Sequence, residues 1–384
     1  MNRIVRLKED LLKLPTPSFF YDLDVLEETI DEIVTNKQEI DVFYSFKANS
    51  NVEILKFIRD KGLGAEVVSI GELNLALDLG FKKIVMSGVG KTDEQIEKAI
   101  IHNIDSINIE SIQEIQVVNE IAKNLRRKAK VSLRINPNVD PLTHKAITTG
   151  LSENKFGINF EHLDKALDLI RKSEYLEFVG LHFHIGSQIT SMSVFKNLVI
   201  RVNEIYEYVM ERNFDVKLLN LGGGLGIDYH NPDSIPNFKS YFETIRKFVK
   251  VHSKICVEPG RAVVGQCGTL ISKVLFKKET MSKEILIIDT GMNHLIRPAL
   301  YEAFHLIQNL SKIEEKSEFL YDVHGPICES TDCFAKNILL PFTERGDYLI
   351  IRSAGAYGET MMSDYNLRGK PYTFFAYKNK ILEK

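Results

Sequence analysis

The sequence predicts a (β/α)8 barrel followed by a mostly β domain, on three observations. Between Val42 and Val257, eight short apolar runs alternate with longer segments of helical period. After Arg261 the texture changes to alternating and β-branched runs with few helical patterns between them. Most of the chemically capable side chains, Lys47, Ser69, Arg134, His184 and Glu258, lie just past an apolar run or at its end. A barrel builds its active site from the loops that follow its strands, so this placement belongs to the same reading.

The elements follow in order. Pro17 to Tyr21 is strand-like, precedes a first helix over Asp24 to Thr35, and is assigned to the β domain rather than to the barrel. The eight barrel strands are expected at Val42 to Phe46, Ala65 to Val68, Lys83 to Met86, Asp105 to Ile109, Lys130 to Ile135, Phe178 to Phe183, Lys217 to Leu221 and Lys254 to Val257. Helical periods occupy Val52 to Asp60, Glu72 to Leu79, Asp93 to Ile101 and Ile112 to Asn124. Beyond the barrel, Gly268 to Phe276, Ile285 to Asp289 and Tyr348 to Arg352 read as strands. The expected domains are therefore 24–261 for the barrel and 262–384 for the β domain, with 1–23 lending the latter a strand. No internal repeat, low-complexity tract or flexible linker stands out.

Composition narrows the function classes. A chain of 384 residues exceeds the usual single-domain size, which suits a barrel plus a second domain. The net charge is −3 and no basic block or arginine-rich helix is present, so nucleic acid is not an expected partner. The first ten residues carry charges where a signal peptide needs an apolar core, and no apolar stretch approaches spanning length; a cytoplasmic protein with no membrane partner is expected. Cysteines at 256, 267, 328 and 333 form no C-x-x-C pair, so neither a metal site nor a disulfide scaffold is expected.

Three segments carry chemistry. Lys47 closes the apolar run Val42-Phe43-Tyr44-Ser45-Phe46 and is followed by Ala48-Asn49. A lysine pressed against a buried strand end loses hydration, which lowers its pKa and frees the amine to attack a carbonyl. A lone lysine is most often exposed, so other segments must decide. Leu218 to Leu221 leads into Gly222-Gly223-Gly224-Leu225-Gly226, where bare amides can approach an anion, although a glycine cluster alone is a weak signal. Lys254 to Val257 leads into Glu258-Pro259-Gly260-Arg261, a carboxylate, a turn and a guanidinium within four residues. Together they suggest pyridoxal 5'-phosphate, which needs an imine partner, an anion site and a group facing its ring nitrogen.

The same residues carry a family resemblance. Tyr44-Ser45-Phe46-Lys47-Ala48-Asn49, Val67-Val68-Ser69-Ile70-Gly71-Glu72, His182-Phe183-His184-Ile185-Gly186-Ser187-Gln188, the Gly222 run and Glu258-Pro259-Gly260-Arg261 resemble the alanine-racemase-like, fold-type III pyridoxal-phosphate decarboxylases. More narrowly, Arg134-Ile135-Asn136-Pro137, Thr148-Thr149-Gly150 with Lys155-Phe156-Gly157, Arg297-Pro298-Ala299-Leu300-Tyr301, Gly325-Pro326-Ile327-Cys328-Glu329-Ser330 and Gly355-Ala356-Tyr357-Gly358 look like the diaminopimelate decarboxylases. The match runs from about Pro17 to Gly369.

The resemblance implies roles. Lys47 would carry the cofactor through an imine, and the ring of His184 would lie against the pyridine face. Ser187, Gly222, Gly223, Gly224 and Gly260 would bind the phosphate, with a further contact from Tyr357, and Glu258 would face the pyridine nitrogen. Arg261, Arg297, Tyr301, Glu329 and Tyr357 would select the substrate; arginines can hold a carboxylate and a glutamate an ammonium, which fits the distal end of meso-2,6-diaminopimelate. Arg261 would also border the cofactor, and Cys328 would deliver a proton after CO2 departs. Cys328 and Glu329 would enter the neighbouring subunit's pocket, giving a homodimer with shared active sites and L-lysine as product, the last step of lysine biosynthesis. Two details depart from the commonest pattern: Glu66 stands where aspartate is frequent, and Thr331 occupies a variable place. Another fold-type III basic amino-acid decarboxylase or a racemase should lack the Arg297, Tyr301 and Glu329 set, and a non-catalytic pyridoxal-phosphate carrier needs no residues 262–384.

Overall fold

A computed structural model describes residues 3–141, 155–281 and 283–382. The chain divides into two compact units, Ile30–Gly226 with Asn237–Gly260, and Met1–Thr29 with Ile227–Pro236 and Arg261–Lys384.

The first unit is the barrel. Its strands β2 (Asp41–Ser45), β3 (Gly64–Val67), β4 (Ile84–Met86), β5 (Ser106–Ile109), β6 (Ala129–Asn136), β8 (Leu176–His182), β9 (Leu218–Asn220) and β10 (Lys254–Val257) pair in parallel, and the β10 to β2 and β5 to β6 pairings close the ring. A short β7 (Ile158–Asn159) adds to β6. The runs fold as strands because they are buried on both faces, which a barrel wall under a helical jacket requires. Helices follow where helical period was read: Val52–Asp60, Ile70–Asp78, Asp93–Ile101 and Ile112–Leu125. Each starts at a residue that can accept from its own orphan amides: Asn51, Ser69, Thr92 and Ser111 all accept a backbone N–H within the first turn. These caps end each loop at a defined point and so fix what projects from the strand ends.

Part of the barrel interior is polar. Ser106 donates to Ser132 at 2.8 Å and Asn108 to Ser87 at 2.9 Å, all four buried. Satisfied in this way, the hydroxyls and amides rigidify the wall instead of destabilising it. Phe43, Val85 and Cys256 form an apolar cluster elsewhere in the barrel unit.

The second unit is a sheet in the order β15-β14-β12-β11-β1-β17-β18, with β16 pairing β11 and β13 pairing β16. Its strands are β1 (Ser18–Asp22), β11 (Gly268–Glu279), β12 (Glu284–Ile288), β13 (Ile307–Asn309), β14 (Phe319–His324), β15 (Cys333–Leu340), β16 (Tyr348–Ile351), β17 (Tyr372–Tyr377) and β18 (Lys380–Ile381). β1 lies between β11 and β17, antiparallel to the first and parallel to the second. The helix Arg3–Leu11 presents Ile4, Leu7 and Leu11, spaced three and four residues apart on one face, to Phe20, Ile271 and Ile350 of the sheet. Among the described residues no helix is long and apolar enough to cross a membrane.

Candidate active site

The barrel unit gathers its polar groups at the strand ends. Lys47 sits in a single 3-10 turn, Phe46–Ala48, directly after β2. The turn is held from both sides: Phe46 is fully buried edge-on against Phe81, and the Tyr44 hydroxyl donates to the carbonyl of Asn49 at 2.9 Å. The amine of Lys47 donates to Glu66 Oε2 at 2.6 Å; Glu66 is fully buried on β3 and its Oε1 has no hydrogen-bond partner among the described residues. The backbone around Lys47 is tied to the end of β10, since the Ser45 amide donates to the Pro259 carbonyl at 3.2 Å and the Ser45 hydroxyl to the Glu258 carbonyl at 3.0 Å.

Glu258 is the electrostatic centre. One carboxylate oxygen lies 3.0 Å from His182 Nε2 and the other accepts from Asn220 Nδ2 at 2.7 Å. Burial alone would raise the Glu258 carboxyl; His182, Lys47 and Asn220 outweigh it and hold it below the usual carboxylate range. A buried acid that stays ionised suits a cationic partner. His184 behaves in the opposite way: burial, then Arg134 and Lys47, push its imidazole well below the ordinary value, so the ring is neutral, and its Nδ1 accepts the Gly223 amide at 3.2 Å. Glu72, whose Oε2 accepts the Val68 amide at 2.8 Å, is pushed up to about 7 by burial, with the charge of Glu66 adding to it. Arg134 pairs with Glu110 at 2.6 Å and lies 4.8 Å from the Phe156 ring centre.

A cavity of about 300 Å3 opens among Lys47, Glu66, Arg134, His182, His184 and Glu258. Ser187, Gly222, Gly223, Gly224 and Gly260 do not line it. The glycine run does two things beside it. A Cβ on Gly223 would sit 2.2 Å from the Glu258 carbonyl, and one on Gly222, at φ +69°, 2.2 Å from the Phe183 carbonyl, so β9 can turn between its neighbours only with glycine there. The amide of Gly222 donates to Asn220 Oδ1 and that of Gly223 to His184, so these two N–H groups already have acceptors.

The β unit forms a separate cluster around two buried arginines. Arg261 opens the short helix Arg261–Val264, donates to the Tyr229 hydroxyl at 2.6 Å and lies 4.8 Å from the ring centre of Tyr357, which holds a left-handed φ of 56°. Arg297 begins the helix Arg297–Tyr301, whose first turn Pro298 preorganises. Its guanidinium lies 4.8 Å from the Tyr229 ring centre and donates to His305 Nε2 at 2.7 Å, and its Nε is buried without a partner among the described residues. Burial, then the charge of Arg297, push His305 down to about 3, so the ring is neutral; Nδ1–H donates to the Arg352 carbonyl at 2.8 Å, which leaves Nε2 as the acceptor. Cys328 and Glu329 are exposed on the β14–β15 loop; Glu329 accepts from the Tyr365 hydroxyl at 2.5 Å and the Cys328 amide donates to Asn366 at 3.1 Å. Asp332 pins this loop by accepting the amides of Ile327 and Met292, each at 2.7 Å.

Lys47, His184 and Glu258 thus meet at one cavity in the barrel, while Arg261, Arg297 and Tyr357 belong to the β-unit cluster and its neighbourhood. Sequence reasoning did not single out His182 and Asn220, which hold Glu258, or Tyr229 and His305, which hold the arginines. The first pair had a signal, since each ends its strand on the side where Glu258 follows β10; the second pair had none. The Thr148-Thr149-Gly150 motif lies outside the described residues.

A family model for the pyridoxal-binding domain of pyridoxal-dependent decarboxylases matches residues 23–265. The diaminopimelate decarboxylase of Bacteroides thetaiotaomicron is 48% identical over 93% of this chain and 95% of its own length. The chain belongs to the diaminopimelate decarboxylases. The enzyme of that name from Aquifex aeolicus is 40% identical over 95% of this chain and 87% of its own. The crystal structure of diaminopimelate decarboxylase from Helicobacter pylori complexed with L-lysine superposes with a TM-score of 0.90 at 37% identity, covering 98% of this chain and 95% of that one. A chlorella-virus arginine decarboxylase shares the fold at a TM-score of 0.86 and 20% identity.

Pyridoxal phosphate is the cofactor of this family, and the barrel's residues fit it. An ionised buried carboxylate, a neutral buried imidazole and a lysine amine border one cavity, which answers the ring nitrogen, the ring face and the aldehyde.

Proposed function

We propose that this protein decarboxylates meso-2,6-diaminopimelate to L-lysine and CO2, with pyridoxal phosphate held in the barrel. When bound, the cofactor supplies the electron sink that takes up the pair left behind as CO2 departs. Lys47 is its covalent anchor, and Glu66, with one oxygen on the Lys47 amine, keeps that amine positioned. Glu258 holds a proton on the pyridine nitrogen, and His182 and Asn220 keep the carboxylate ionised and oriented. His184, its ring neutral, would lie against the pyridine face of the bound cofactor. Ser187, Gly222, Gly223, Gly224 and Gly260 serve the phosphate, with Gly222 and Gly223 acting through backbone shape and Gly224 and Gly260 through their amides; Arg261 and Tyr357 complete the cofactor's surroundings.

Arg261, Arg297, Tyr301, Glu329 and Tyr357 choose the substrate. The observation that carries the diaminopimelate reading is Arg297, a buried guanidinium resting on a neutral imidazole and a phenol face, its Nε without a partner among the described residues. Such a cation gains most from a carboxylate, which diaminopimelate brings at its distal end and lysine or ornithine does not. Cys328 gives its proton to the carbon that has lost its carboxylate. We assign a homodimer in which Cys328 and Glu329 of one chain serve the other's site, a reading their exposure supports. The unpaired spacing of the four cysteines suits a reducing, cytoplasmic setting.

The test is mass spectrometry of products after separate incubation with meso-diaminopimelate, lysine and ornithine. Lysine should form from the first, with no diamine from the other two at comparable rate. A faster reaction with lysine or ornithine replaces this reading with that of another basic amino-acid decarboxylase.

A further inference from the structure

Residues 227–236 lie in the chain between β9 and the helix Phe238–Phe248, yet they belong to the β unit. Tyr229, buried in that excursion, meets both arginines of the β-unit cluster. Its hydroxyl accepts from Arg261 Nη1 at 2.6 Å, and the Arg297 guanidinium lies 4.8 Å from its ring centre. The same ring stands at 76° to that of His305, with 5.0 Å between centroids, and His305 is the acceptor for Arg297 Nη1. Tyr229 therefore holds one guanidinium at its tip and a second at its ring, and His305 braces both the ring and the second guanidinium.

A phenol does here what a carboxylate could not. A carboxylate shared by two guanidinium groups would orient them and also cancel their charge, whereas a hydroxyl lone pair and a ring face orient both and leave both cations to attract an anion. The two groups feel each other: burial lowers the pKa of Arg297, and the charge of Arg261 adds to that. Like charges keep a fixed spacing against their repulsion only while something rigid contacts both, and an aromatic side chain with two torsions is such a spacer. We infer that Tyr229 is a positioning residue for substrate choice, setting the separation and direction of the Arg261 and Arg297 guanidinium groups and thereby the enzyme's grip on the distal carboxylate. This rests on the function proposed above, which puts both arginines on the substrate.

Tyr229→Phe in the holoenzyme separates the two contacts, since it keeps the ring face and the volume and removes the hydroxyl. It should raise KM for meso-diaminopimelate about tenfold, with kcat within about threefold and cofactor absorbance unchanged. L-lysine, the product, keeps the distal carboxylate, so its inhibition constant should rise in the same proportion. That of pentane-1,5-diamine, which has no carboxylate, should stay within about twofold. In an Arg261→Met background Tyr229→Phe should add less than about twofold, because the hydroxyl acts through that guanidinium. An unchanged KM in Tyr229→Phe, equal weakening of lysine and diamine, or an undiminished effect in the Arg261→Met background overturns the inference. If Arg261→Met does not fold, the lysine and diamine comparison decides alone. Failure of the proposed function shows in the unaltered enzyme: a preference for lysine or ornithine removes both readings. Turnover of diaminopimelate that is weakened by Arg297→Ala but not by Tyr229→Phe removes only the role of Tyr229.

Discussion

Two buried charges, Glu258 in the barrel and Arg297 in the β unit, are surrounded in opposite ways. In the barrel a carboxylate, Glu258, lies between an imidazole and an amide, with a lysine nearby, and is held ionised. In the β unit Arg297 is a buried positive charge whose contacts are neutral: an imidazole pushed down to about 3 and the face of a phenol. A buried ion whose partners already compensate it is part of a finished device, ready to polarise whatever meets it. A buried ion resting on neutral dipoles is incomplete, and gains free energy when a counter-charge arrives. On the function proposed above, the barrel is prepared for the cofactor and the β-unit cluster for a substrate that comes and goes.

The largest effect should come from the barrel's anchor. Lys47→Ala is expected to lower activity by roughly 10³-fold or more and to abolish covalent cofactor, while the barrel still folds. Borohydride reduction of the unaltered holoenzyme, followed by peptide mapping, should place the cofactor on the peptide holding Lys47; label on another lysine removes the assignment.

Next is the finished device itself. Glu258→Gln should retain cofactor but lose about 10²–10⁴-fold in kcat, because a neutral amide cannot hold a proton on the ring nitrogen. Asn220→Ala, which removes a donor to Glu258 and the acceptor of the Gly222 amide but leaves the charge, should cost roughly tenfold. Equal losses in both would mean that geometry rather than charge is what Glu258 supplies.

For the β-unit cluster, Arg297→Ala should raise the barrier for diaminopimelate by roughly 2–4 kcal/mol in kcat/KM with unchanged cofactor absorbance. A loss of cofactor instead would merge the two regions into one role. Mixing Lys47→Ala with Cys328→Ala protein under subunit exchange should recover about a quarter of normal activity, since half the dimers are hybrids and each hybrid has one intact site. No recovery despite proven exchange would place both residues of one chain in one site.

The smallest effect is on stability against pH. His305 titrates at about 3 in the folded chain, below its ordinary 6.5, so its contribution is complete above about pH 6.5 and is lost as pH falls toward 3. The slope is at most about 1.4 kcal/mol per pH unit. Glu72, pushed up to about 7, acts in the reverse sense across part of that window, so the comparison must be between proteins. Urea unfolding at pH 7 and pH 5 should show a smaller loss in His305→Gln than in the unaltered chain; equal losses would mean that His305 is not neutral in the fold.

The barrel was legible because its strands are short apolar runs between helices that begin at Asn51, Ser69, Thr92 and Ser111, all local signals. Lys47, Glu258 and the glycine run were legible for the same reason: each abuts a strand, so the strand's position fixes theirs. The partners were not. Asn220 and His182 reach Glu258 across 38 and 76 residues of chain, and nothing in the spacing of His305 from Arg297 announces that its ring accepts a guanidinium.

By itself, then, the amino-acid order determined where backbone turns, which groups stand at strand ends, and the class of cofactor those groups can serve, because periodicity and capping act over a few residues. Only the tertiary structure decided the ionisation of those groups. Whether Glu258 is charged, His184 and His305 neutral, and the guanidinium of Arg297 set among neutral groups depends on burial and on neighbours from distant strands, and Coulomb and desolvation energies are set by distance in space, not along the chain.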